Sequence, residues 1–541
     1  MRARDLARLD AAQYDVLIVG GGIHGLACAY ETASRGLRVA LVEANDFGGA
    51  ASFNHQKTAH GGLRSLGSGD IWRARESIRE RRALARIAPW FLRPMPFLIG
   101  TYPSLVRSRL AIRAAFKADA WLGRHRNDGV EPELHLPFAR LVSKAATLRL
   151  FPGIRPEKLT GGAQWYDYQM AEADRLTLAF AAAADRAGAD LVNHVEAVQV
   201  IRQDGRIAGV VARDQISGQS LTIKAGVTLN AAGARAGDVL RLLGVERPFP
   251  LVKAMNLVTS RPASDMALAA PGRDGRMLTL VPWRGHALVG TSHSPTFAQP
   301  GDTSVSGSEI DAFIADANYA FPALHLTAND VTLVHRGIVP AQPGRGGIPE
   351  LKALTEIIDH ASEGAEGAIT VVGVKYTTAR GVAERVAHAV AARLGRRLSS
   401  SRTAETPLPG AGIADHEALA IETARGLRFE VPLPTIRHLI RLYAESAAAI
   451  IRLMHEREDL RAPVAVGTDS IGAEVVHVIR HEMAVRLGDI VIRRTGLGSA
   501  GAPPAEAVER CAHIAAMELG WDESRTREEV AAVTRFYAVT A

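Results

Sequence analysis

Residues 16–25, VLIVGGGIHG, decide the fold of this 541-residue chain. Four apolar residues lead directly into glycines spaced as Gly-x-Gly-x-x-Gly, and the next segment, 26–34, is predicted to be helical. In this pattern Gly20 allows a tight turn, Gly22 lets a pyrophosphate approach the amides at the helix N-terminus, and Gly25 permits close helix–strand packing. The stretch predicts a dinucleotide-binding unit.

The residues that follow favour one dinucleotide over another. A second strand is predicted over 37–43, and Glu43 ends it about 20 residues after the glycines, where a carboxylate accepts hydrogen bonds from ribose hydroxyls. Residues 44–66 then form a long segment of small and polar side chains, where a nicotinamide enzyme would usually proceed to another helix. This order favours FAD over NAD.

The composition excludes several classes of protein. With 47% hydrophobic and 22% charged residues the chain is that of a large globular protein, and it lacks the roughly 18 unbroken apolar residues of a membrane span. Residues 1–13 do not read as a secretory signal, so we expect a cytoplasmic chain. Two cysteines, Cys28 and Cys511, are too few for a zinc cluster, and we expect no metal site. The net charge of +7 favours an anionic partner: a substrate, acidic lipid or nucleic acid.

Hydrophobic periodicity divides the rest of the chain. Residues 70–126 are predicted to be helical; their arginine-rich part, 105–126, could lie on a membrane surface or be a solvated helix face packed on the protein. Short apolar segments between 165 and 400 alternate with helices and predict strands over 191–201, 207–213, 222–230, 287–291 and 369–374. After a polar stretch near 396–406, helical spacing over 436–454, 475–492 and 505–519 predicts a separate helical domain.

Longer motifs are more specific than the glycines. The run 45–96 contains Lys57-Thr58-Ala59-His60-Gly61-Gly62-Leu63-Arg64-Ser65-Leu66 and Ala88-Pro89-Trp90. Later come Tyr166-Asp167, Glu172-Ala173-Asp174-Arg175-Leu176, Asn230-Ala231-Ala232-Gly233, Gly373-Val374-Lys375-Tyr376-Thr377-Thr378, His481-Glu482-Met483 and Arg493-Arg494-Thr495-Gly496. In these motifs the chain resembles the FAD-dependent glycerol-3-phosphate dehydrogenases, membrane-associated flavoenzymes of the D-amino-acid-oxidase-like fold.

The resemblance implies an α/β architecture in three parts. A discontinuous Rossmann-type FAD-binding domain is expected over 14–90, 165–240 and 365–395. A mixed α/β substrate or cap domain with an antiparallel sheet is expected over 91–164 and 241–364, and a C-terminal helical domain over 400–541.

The resemblance also implies an activity: oxidation of sn-glycerol 3-phosphate to dihydroxyacetone phosphate by hydride transfer to flavin N5, with electrons passed to quinone. Arg64, Lys375 and Asn256 are the implied catalytic residues, and Arg64, Lys375, Arg336 and His293 the implied substrate contacts. The implied FAD contacts are Gly20, Gly22, Ile23, His24, Gly25, Glu43, Ser52, Lys57, His60, Gly61, Gly62, Leu63, Val195, Gly233, Gly373, Lys375, Tyr376 and Thr377. Arg64, Lys375 and His60 each have a purely structural alternative, in an internal ion pair or in the core.

Three departures from the family pattern fall in the substrate half. Lys-Gly-Ser-His is replaced by 253–256, KAMN, and Asn256 cannot take up a proton at neutral pH. Gly-Thr-Thr-Asp is replaced by 290–293, GTSH, and Gly-x-Arg-Pro by 337–340, GIVP, which removes a cation. Arg336 lies three residues before Val339, on the opposite face of a regular strand. A charge-assisted hydrogen bond from an arginine to the substrate phosphate contributes about 1.5–3 kcal/mol to binding. The loss of this bond leaves the identity of the substrate open.

Alternatives therefore remain at this stage. The same flavin chemistry could act on another polyol phosphate, a hydroxy acid or an amine, and a non-catalytic flavin-bound scaffold belongs to a different class. The proton acceptor could be His60, His293, His335 or Lys375. A homodimer and peripheral contact with the inner face of an anionic membrane are compatible with the chain, whereas its dispersed basic residues do not predict nucleic-acid binding.

Overall fold

The structure is a computed structural model and describes residues 1–63, 66, 69–104, 108–263, 265–413, 415–427 and 429–539. The strands, in chain order, are β1 (Gln13–Val19), β2 (Val39–Val42), β3 (Thr58–Ala59), β4 (Leu92–Thr101), β5 (Arg140–Val142), β6 (Gly161–Met170), β7 (Asp190–Val192), β8 (Val195–Gln203), β9 (Arg206–Asp214), β10 (Ser220–Asn230), β11 (Leu251–Pro262), β12 (Ala267–Pro271), β13 (Met277–Trp283), β14 (His286–His293), β15 (Val331–Pro343), β16 (Pro349–Leu351), β17 (Glu356–Asp359) and β18 (Ala368–Val372).

The α-helices form the layers around these strands. In chain order they are α1 (Leu6–Ala11), α2 (Ile23–Ser34), α3 (Ile71–Ile87), α4 (Arg109–Leu122), α5 (Lys144–Leu150), α6 (Ala173–Arg186), α7 (Ala236–Leu242), α8 (Gly307–Ala320), α9 (Ala379–Arg393), α10 (His416–Gly426), α11 (Leu433–Tyr443), α12 (Ala447–Glu456), α13 (Gly472–His481), α14 (Ala505–Leu519) and α15 (Glu523–Tyr537).

The first sheet is built around the strand that precedes the glycines. Its order is β17-β18-β10-β1-β2-β7, in which β18, β10, β1, β2 and β7 run parallel; β17 is antiparallel, and the β8–β9 hairpin pairs with β10. Val16 to Val19 are all buried, as expected for a central strand covered on both faces. Helix α2 packs against α6 and α9 on this sheet.

The second sheet forms the other half of the body. Its order is β16-β15-β11-β14-β13-β12-β4-β6-β3, with β5 paired to β6, and it is antiparallel except where β12 meets β4. Helix α8 packs on β12 and β14, and its Ile310 and Phe313 share a core with Leu257 and Val289 of the sheet. The predicted mixed α/β substrate half with a mainly antiparallel sheet is confirmed.

The C-terminal region is helical, as predicted, and shares a hydrophobic core with the first sheet. Leu26 of α2, Phe180 of α6 and Ile436 of α11 belong to the same buried cluster. The periodic run 436–454 is two helices, because Ala444 takes a positive φ of 47° between them. The run 475–492 is also divided: α13 ends at His481, and a π-helical segment, Asp489–Arg494, follows.

Three details of the sequence interpretation were wrong. Residues 92–101, predicted as helix, form strand β4, because Pro94 and Pro96 disfavour a helix and the segment pairs along its full length with β6. Residues 191–201 are two strands, since His194 turns the chain with a φ of 54°. Strand β3 pairs in the second sheet although residues 14–90 were expected in the FAD-binding domain, β17 pairs in the first sheet although residues 241–364 were expected in the substrate domain, and β6 spans the expected limit at 164/165. As units, the domain limits stay a prediction.

Candidate active site

A cavity of about 2700 Å³ lies where four parallel strands end. The carboxyl ends of β1, β2, β10 and β18 open into it, which is the usual ligand position in an open α/β sheet. Fifteen of the predicted FAD contacts line it: Gly20, Gly22, Ile23, His24, Glu43, Ser52, His60, Gly62, Leu63, Val195, Gly233, Gly373, Lys375, Tyr376 and Thr377. Gly25, Gly61 and Lys57 do not.

The glycine turn has the geometry that its spacing predicts. Gly20 has a φ of 113°, and a Cβ there would lie 2.6 Å from the carbonyl oxygen of Ala231. A Cβ at Gly25 would lie 1.9 Å from the carbonyl oxygen of Gly20, so this glycine serves helix–strand packing and not ligand contact. The amide of Ile23 donates to Ser52 Oγ at 2.9 Å, which ties the helix N-terminus to the following segment.

Glu43 lies at the end of β2 with its carboxylate turned back to the glycines. It accepts hydrogen bonds from the amides of Gly21 at 2.6 Å and Asn45 at 2.8 Å. Burial raises the pKa of Glu43, and the two backbone donors oppose that rise. The carboxylate is thus fixed beside the turn, in the position predicted for a ribose acceptor.

His24 and Gly373 meet across the cavity wall. A Cβ at Gly373 would lie 2.3 Å from the His24 ring, so the loop after β18 approaches the helix this closely only as glycine. Burial lowers the pKa of His24 to about 4, so the imidazole is neutral. Its Nε2 is buried and makes no hydrogen bond to any described residue. A polar atom without a partner beside a glycine cradle fits a bound FAD, because the cofactor supplies polar groups.

His55 is a cavity residue that the sequence interpretation missed. Its ring stacks on Tyr376, with centroids 5.0 Å apart and planes inclined by 30°. Its Nδ1 accepts a hydrogen bond from the amide of Lys57 at 3.0 Å. Burial, with Lys57 nearby, lowers the pKa of His55 well below its ordinary value. The aromatic partner at 376 comes from a loop more than 300 residues away, so the local sequence carried no signal for the pair.

Lys57 has a structural position. Its ammonium group is fully buried, donates to the carbonyl oxygen of Phe53 at 2.6 Å and pairs with Asp174 at 3.3 Å. It also lies 4.3 Å from the centroid of the Phe53 ring. Lys57 therefore stabilises segment 53–57 from the side that faces the protein interior, and its ammonium group does not face the cavity.

His60 and Asp167 form a pair at the cavity surface. The His60 side chain is 52% exposed, and its Nδ1 lies 3.4 Å from Asp167 Oδ2. Its amide donates to Thr377 Oγ1 at 3.1 Å, which joins the histidine to the loop after β18. Asp167 is buried and also accepts from the amide of Gly61 at 2.6 Å and pairs with Arg81. Burial alone would raise the pKa of Asp167, but Arg81 and His60 together hold it below its ordinary value.

The predicted substrate residues divide into three groups. Asn256, His293 and Lys375 line the cavity; Asn256 Oδ1 accepts from Thr291 Oγ1 at 2.8 Å, and Lys375 Nζ lies 3.5 Å from Ser77 Oγ. Arg336 does not line it: its guanidinium donates to the carbonyl oxygens of residues 536 and 538 at 3.0 and 2.8 Å. Arg64 lies outside the described residues.

His335, a fourth candidate proton acceptor, is fully buried and does not line the cavity. Its ring lies 5.0 Å from that of Phe53, and burial lowers the pKa of His335 well below its ordinary value. Of the four candidates, His60, His293 and Lys375 are at the cavity and His335 is behind its wall.

Asp46, His194 and Asp489 bring their ligand atoms within 4.8 Å of one another, as in a cation site. Arg494 and Arg493 both pair with Asp46, and Arg493 also pairs with Asp489. Two guanidinium groups thus already balance the two carboxylates, which leaves no excess negative charge to attract a metal ion.

Comparison with known proteins agrees with this geometry. Residues 15–389 match the family described as FAD dependent oxidoreductase, and 401–526 match the C-terminal domain of alpha-glycerophosphate oxidase. A glycerol-3-phosphate dehydrogenase from Synechocystis sp. is 30% identical over 516 residues, 91% of this chain and 90% of that one. One from Mycobacterium leprae is 29% identical over 539 residues, 98% and 89% of the two chains.

Among solved structures, the glycerol-3-phosphate dehydrogenase from Bacillus halodurans complexed with FAD has a TM-score of 0.77 at 24% identity. The alignment covers 99% of this chain and 96% of that one, so the two share the whole fold. The family, fold class and cofactor predicted from the sequence are confirmed. The chain belongs to the FAD-dependent glycerol-3-phosphate dehydrogenase family.

Proposed function

We propose that this protein oxidises sn-glycerol 3-phosphate to dihydroxyacetone phosphate and passes the electrons to a quinone. The observation that supports this most directly is that one cavity contains the glycine cradle, Lys375 after β18 and the half-exposed His60. The two relatives named above are called glycerol-3-phosphate dehydrogenases. FAD, when bound, supplies the two-electron acceptor for the hydride of the substrate C2.

Side chains of the protein accept the proton of the substrate hydroxyl and stabilise the negative charge on its oxygen. His60 accepts the proton of the C2 hydroxyl at Nε2, where the substrate hydroxyl replaces the hydroxyl of Thr58 that lies 2.7 Å from this atom, and Asp167 lies 3.4 Å from Nδ1. The Lys375 ammonium stabilises negative charge on the oxygen while the C–H bond breaks. Asn256 uses Oδ1 for Thr291, so its amide N–H group is the part that can donate to a substrate oxygen.

A changed substrate is the second candidate, and one observation favours it. Val339 lines the cavity where the family pattern has an arginine, while Arg336 of the same strand donates to the carbonyl oxygens of residues 536 and 538. The phosphate contact from this strand is therefore missing, and a hydroxy acid, an amine or another polyol phosphate becomes a candidate.

Anaerobic mixing with a panel of substrates decides between the two. We expect glycerol 3-phosphate to bleach the flavin absorbance rapidly and saturably, whereas glycerol, which lacks the phosphate, should do so far more slowly. Hydroxy acids, amines and other polyol phosphates complete the panel. No bleaching by glycerol 3-phosphate, together with rapid bleaching by another member, would establish the changed substrate.

Contact with a membrane is proposed for helix α4. No helix among the described residues is long and apolar enough to cross a bilayer. The outer face of α4 presents Leu110 and Trp121, 80% and 67% exposed, with Arg113 and Lys117 exposed between them. An exposed leucine and tryptophan with flanking cations suit the surface of an anionic bilayer.

The inner face of the same helix leads to the site. Ala111, Ile112 and Ala115 line the cavity together with Phe97 and Ile99 of β4. An apolar wall beneath a membrane-facing helix suits the ring and tail of a quinone that arrives from the bilayer. The same helix thereby connects the proposed membrane contact to the proposed electron acceptor.

Liposome co-sedimentation tests this helix. Replacing Arg113→Gln, Lys117→Gln and Trp121→Ala together should weaken binding to anionic vesicles at low salt by more than about 30-fold, because each of the two cations contributes about 1 kcal/mol near the surface and the loss of the tryptophan adds to this. The matched control, Arg213→Gln with Lys224→Gln, removes two exposed cations from β9 and β10 and should bind like the unaltered protein. Equal losses in both variants would mean that net charge, and not α4, governs binding.

A further inference from the structure

The C-terminal helical domain forms one wall of the FAD cavity. Six of its residues that line the cavity are Arg486, Asp489, Ile492, Arg493, Val533 and Phe536. Across from them lie Glu43, Asp46 and His194, at the ends of the strands that carry the dinucleotide unit. The helical domain is therefore in a position to contact a cofactor bound in the cavity.

Two adjacent arginines join the domain to the FAD-binding unit. Arg494 has a fully buried guanidinium that pairs with both carboxylate oxygens of Asp46, one of them at 2.7 Å, and donates to the carbonyl oxygen of Glu482 at 3.1 Å. Arg493 donates from Nε to Asp46 at 2.6 Å and from Nη2 to Asp489 at 2.8 Å. Asp489 in turn lies 2.9 Å from Nε2 of His194.

Arg494 and Arg493 differ in their burial and in their access to the cavity. Arg494 is enclosed on all sides and connects the two parts of the protein. The Arg493 side chain is 14% exposed and lines the cavity, and its bonds to the two carboxylates are made by Nε and Nη2. Two carboxylates thus fix the orientation of the guanidinium, and the N–H groups of Nη1 can be donated to a ligand in the cavity.

The place where Arg493 reaches the cavity identifies the part of the ligand that it faces. A Cβ at Gly49 would lie 3.9 Å from Arg493 Cζ, and Gly49 comes three residues before Ser52, which is bonded to the amide of Ile23 at the helix N-terminus. On the other side, Asp46 follows Glu43, the proposed ribose acceptor. Arg493 therefore lies against segment 46–49, which connects Glu43, the proposed ribose acceptor, to Ser52 at the helix N-terminus, where a pyrophosphate is expected.

We propose that Arg493 donates a hydrogen bond to the adenosine diphosphate half of FAD, which makes the C-terminal domain part of the cofactor site. Asp46 and Asp489 are its positioning residues. The phosphate and ribose oxygens of that half are acceptors of the kind that an arginine N–H recognises. The proposal concerns cofactor binding only and does not depend on which substrate is oxidised.

Titration of the full-length apoprotein with FAD, ADP and FMN tests this. In Arg493→Met the dissociation constants of FAD and ADP should rise about 10- to 100-fold, the effect of one charge-assisted hydrogen bond, because both contain the contacted half. FMN lacks the adenosine monophosphate part, and its affinity should change less than about twofold. Arg437→Met, which removes an exposed arginine paired with Glu417 on the same domain, should leave all three constants unchanged.

Two results would overturn the proposal. Unchanged FAD and ADP affinity in Arg493→Met would show that the guanidinium does not contact the cofactor. An equal loss for FAD and FMN would assign Arg493 a structural role alone. If Arg493→Met does not fold, as judged by thermal unfolding of the apoprotein, Arg493→Lys keeps the charge and loses the fixed fork; unchanged ADP affinity there would also overturn it. Since no substrate is added, failure here leaves the proposed oxidation untouched.

Discussion

Lys375→Met should slow reduction of the bound flavin by glycerol 3-phosphate about 10²- to 10³-fold, while the purified protein keeps its FAD. The physical reason is that the ammonium group lines the cavity, where a fixed charge stabilises the alkoxide that develops as the hydride leaves. Losing one such preorganised group costs about 2.7–4 kcal/mol of transition-state stabilisation. Anaerobic stopped-flow absorbance measures the rate, and the flavin-to-protein ratio measures the cofactor.

The matched control for this variant is Lys224→Met, which removes an exposed lysine from β10 outside the cavity and should reduce its flavin at the original rate. Lys375→Arg should recover part of the loss, because it restores the charge with a different geometry. An unaltered rate of flavin reduction in Lys375→Met would show that the lysine does not stabilise the transition state. Loss of the flavin from this variant would show that the lysine binds the cofactor instead.

His60→Gln should lower kcat/KM by about 10²- to 10⁴-fold, the usual contribution of a positioned general base. Glutamine keeps a polar group beside Asp167 but cannot accept the hydroxyl proton. The pH dependence of kcat/KM should lose the limb that reports protonation of the imidazole, and this loss separates a base from a residue that only packs.

The chain contains a suitable control in a second histidine–aspartate pair. His125 Nδ1 lies 2.7 Å from Asp128 at the surface, and neither residue lines the cavity. His125→Gln should leave both kcat/KM and its pH profile unchanged. If His60→Gln retained the full pH profile, the proton would have to pass to His293 or Lys375, the other two candidates at the cavity.

The geometry of the strand–turn–helix–strand unit was predictable because its signals are local. Gly20, Gly25 and Glu43 lie within 24 residues of one another, and each is determined by backbone geometry in one strand–turn–helix–strand unit. Side-chain direction was not predictable in the same way. Lys57 sits in the most specific motif of the chain, yet its ammonium group pairs with Asp174 behind the cavity wall.

Contacts between residues that lie far apart in the sequence could not be predicted, for a physical reason. His60 and Asp167 are 107 residues apart, and Arg493 and Asp46 are 447 apart. Such pairs depend on how two sheets and a helical domain pack together, and a single sequence has no periodicity that reports it. For Arg336 the two sequence arguments disagreed: strand alternation predicted that it would face away from Val339, whereas the resemblance implied a substrate contact, and its guanidinium does not line the cavity.

The cavity is lined by parts of the chain that lie far apart in the sequence: the glycine turn near residue 20, the loop after β18 and residues 486–536 of the helical domain. The dinucleotide unit on its own would therefore lack one wall of the site. A cofactor bound in this cavity contacts both parts, so its binding energy stabilises the packing of the helical domain against the first sheet as well as the nucleotide unit itself.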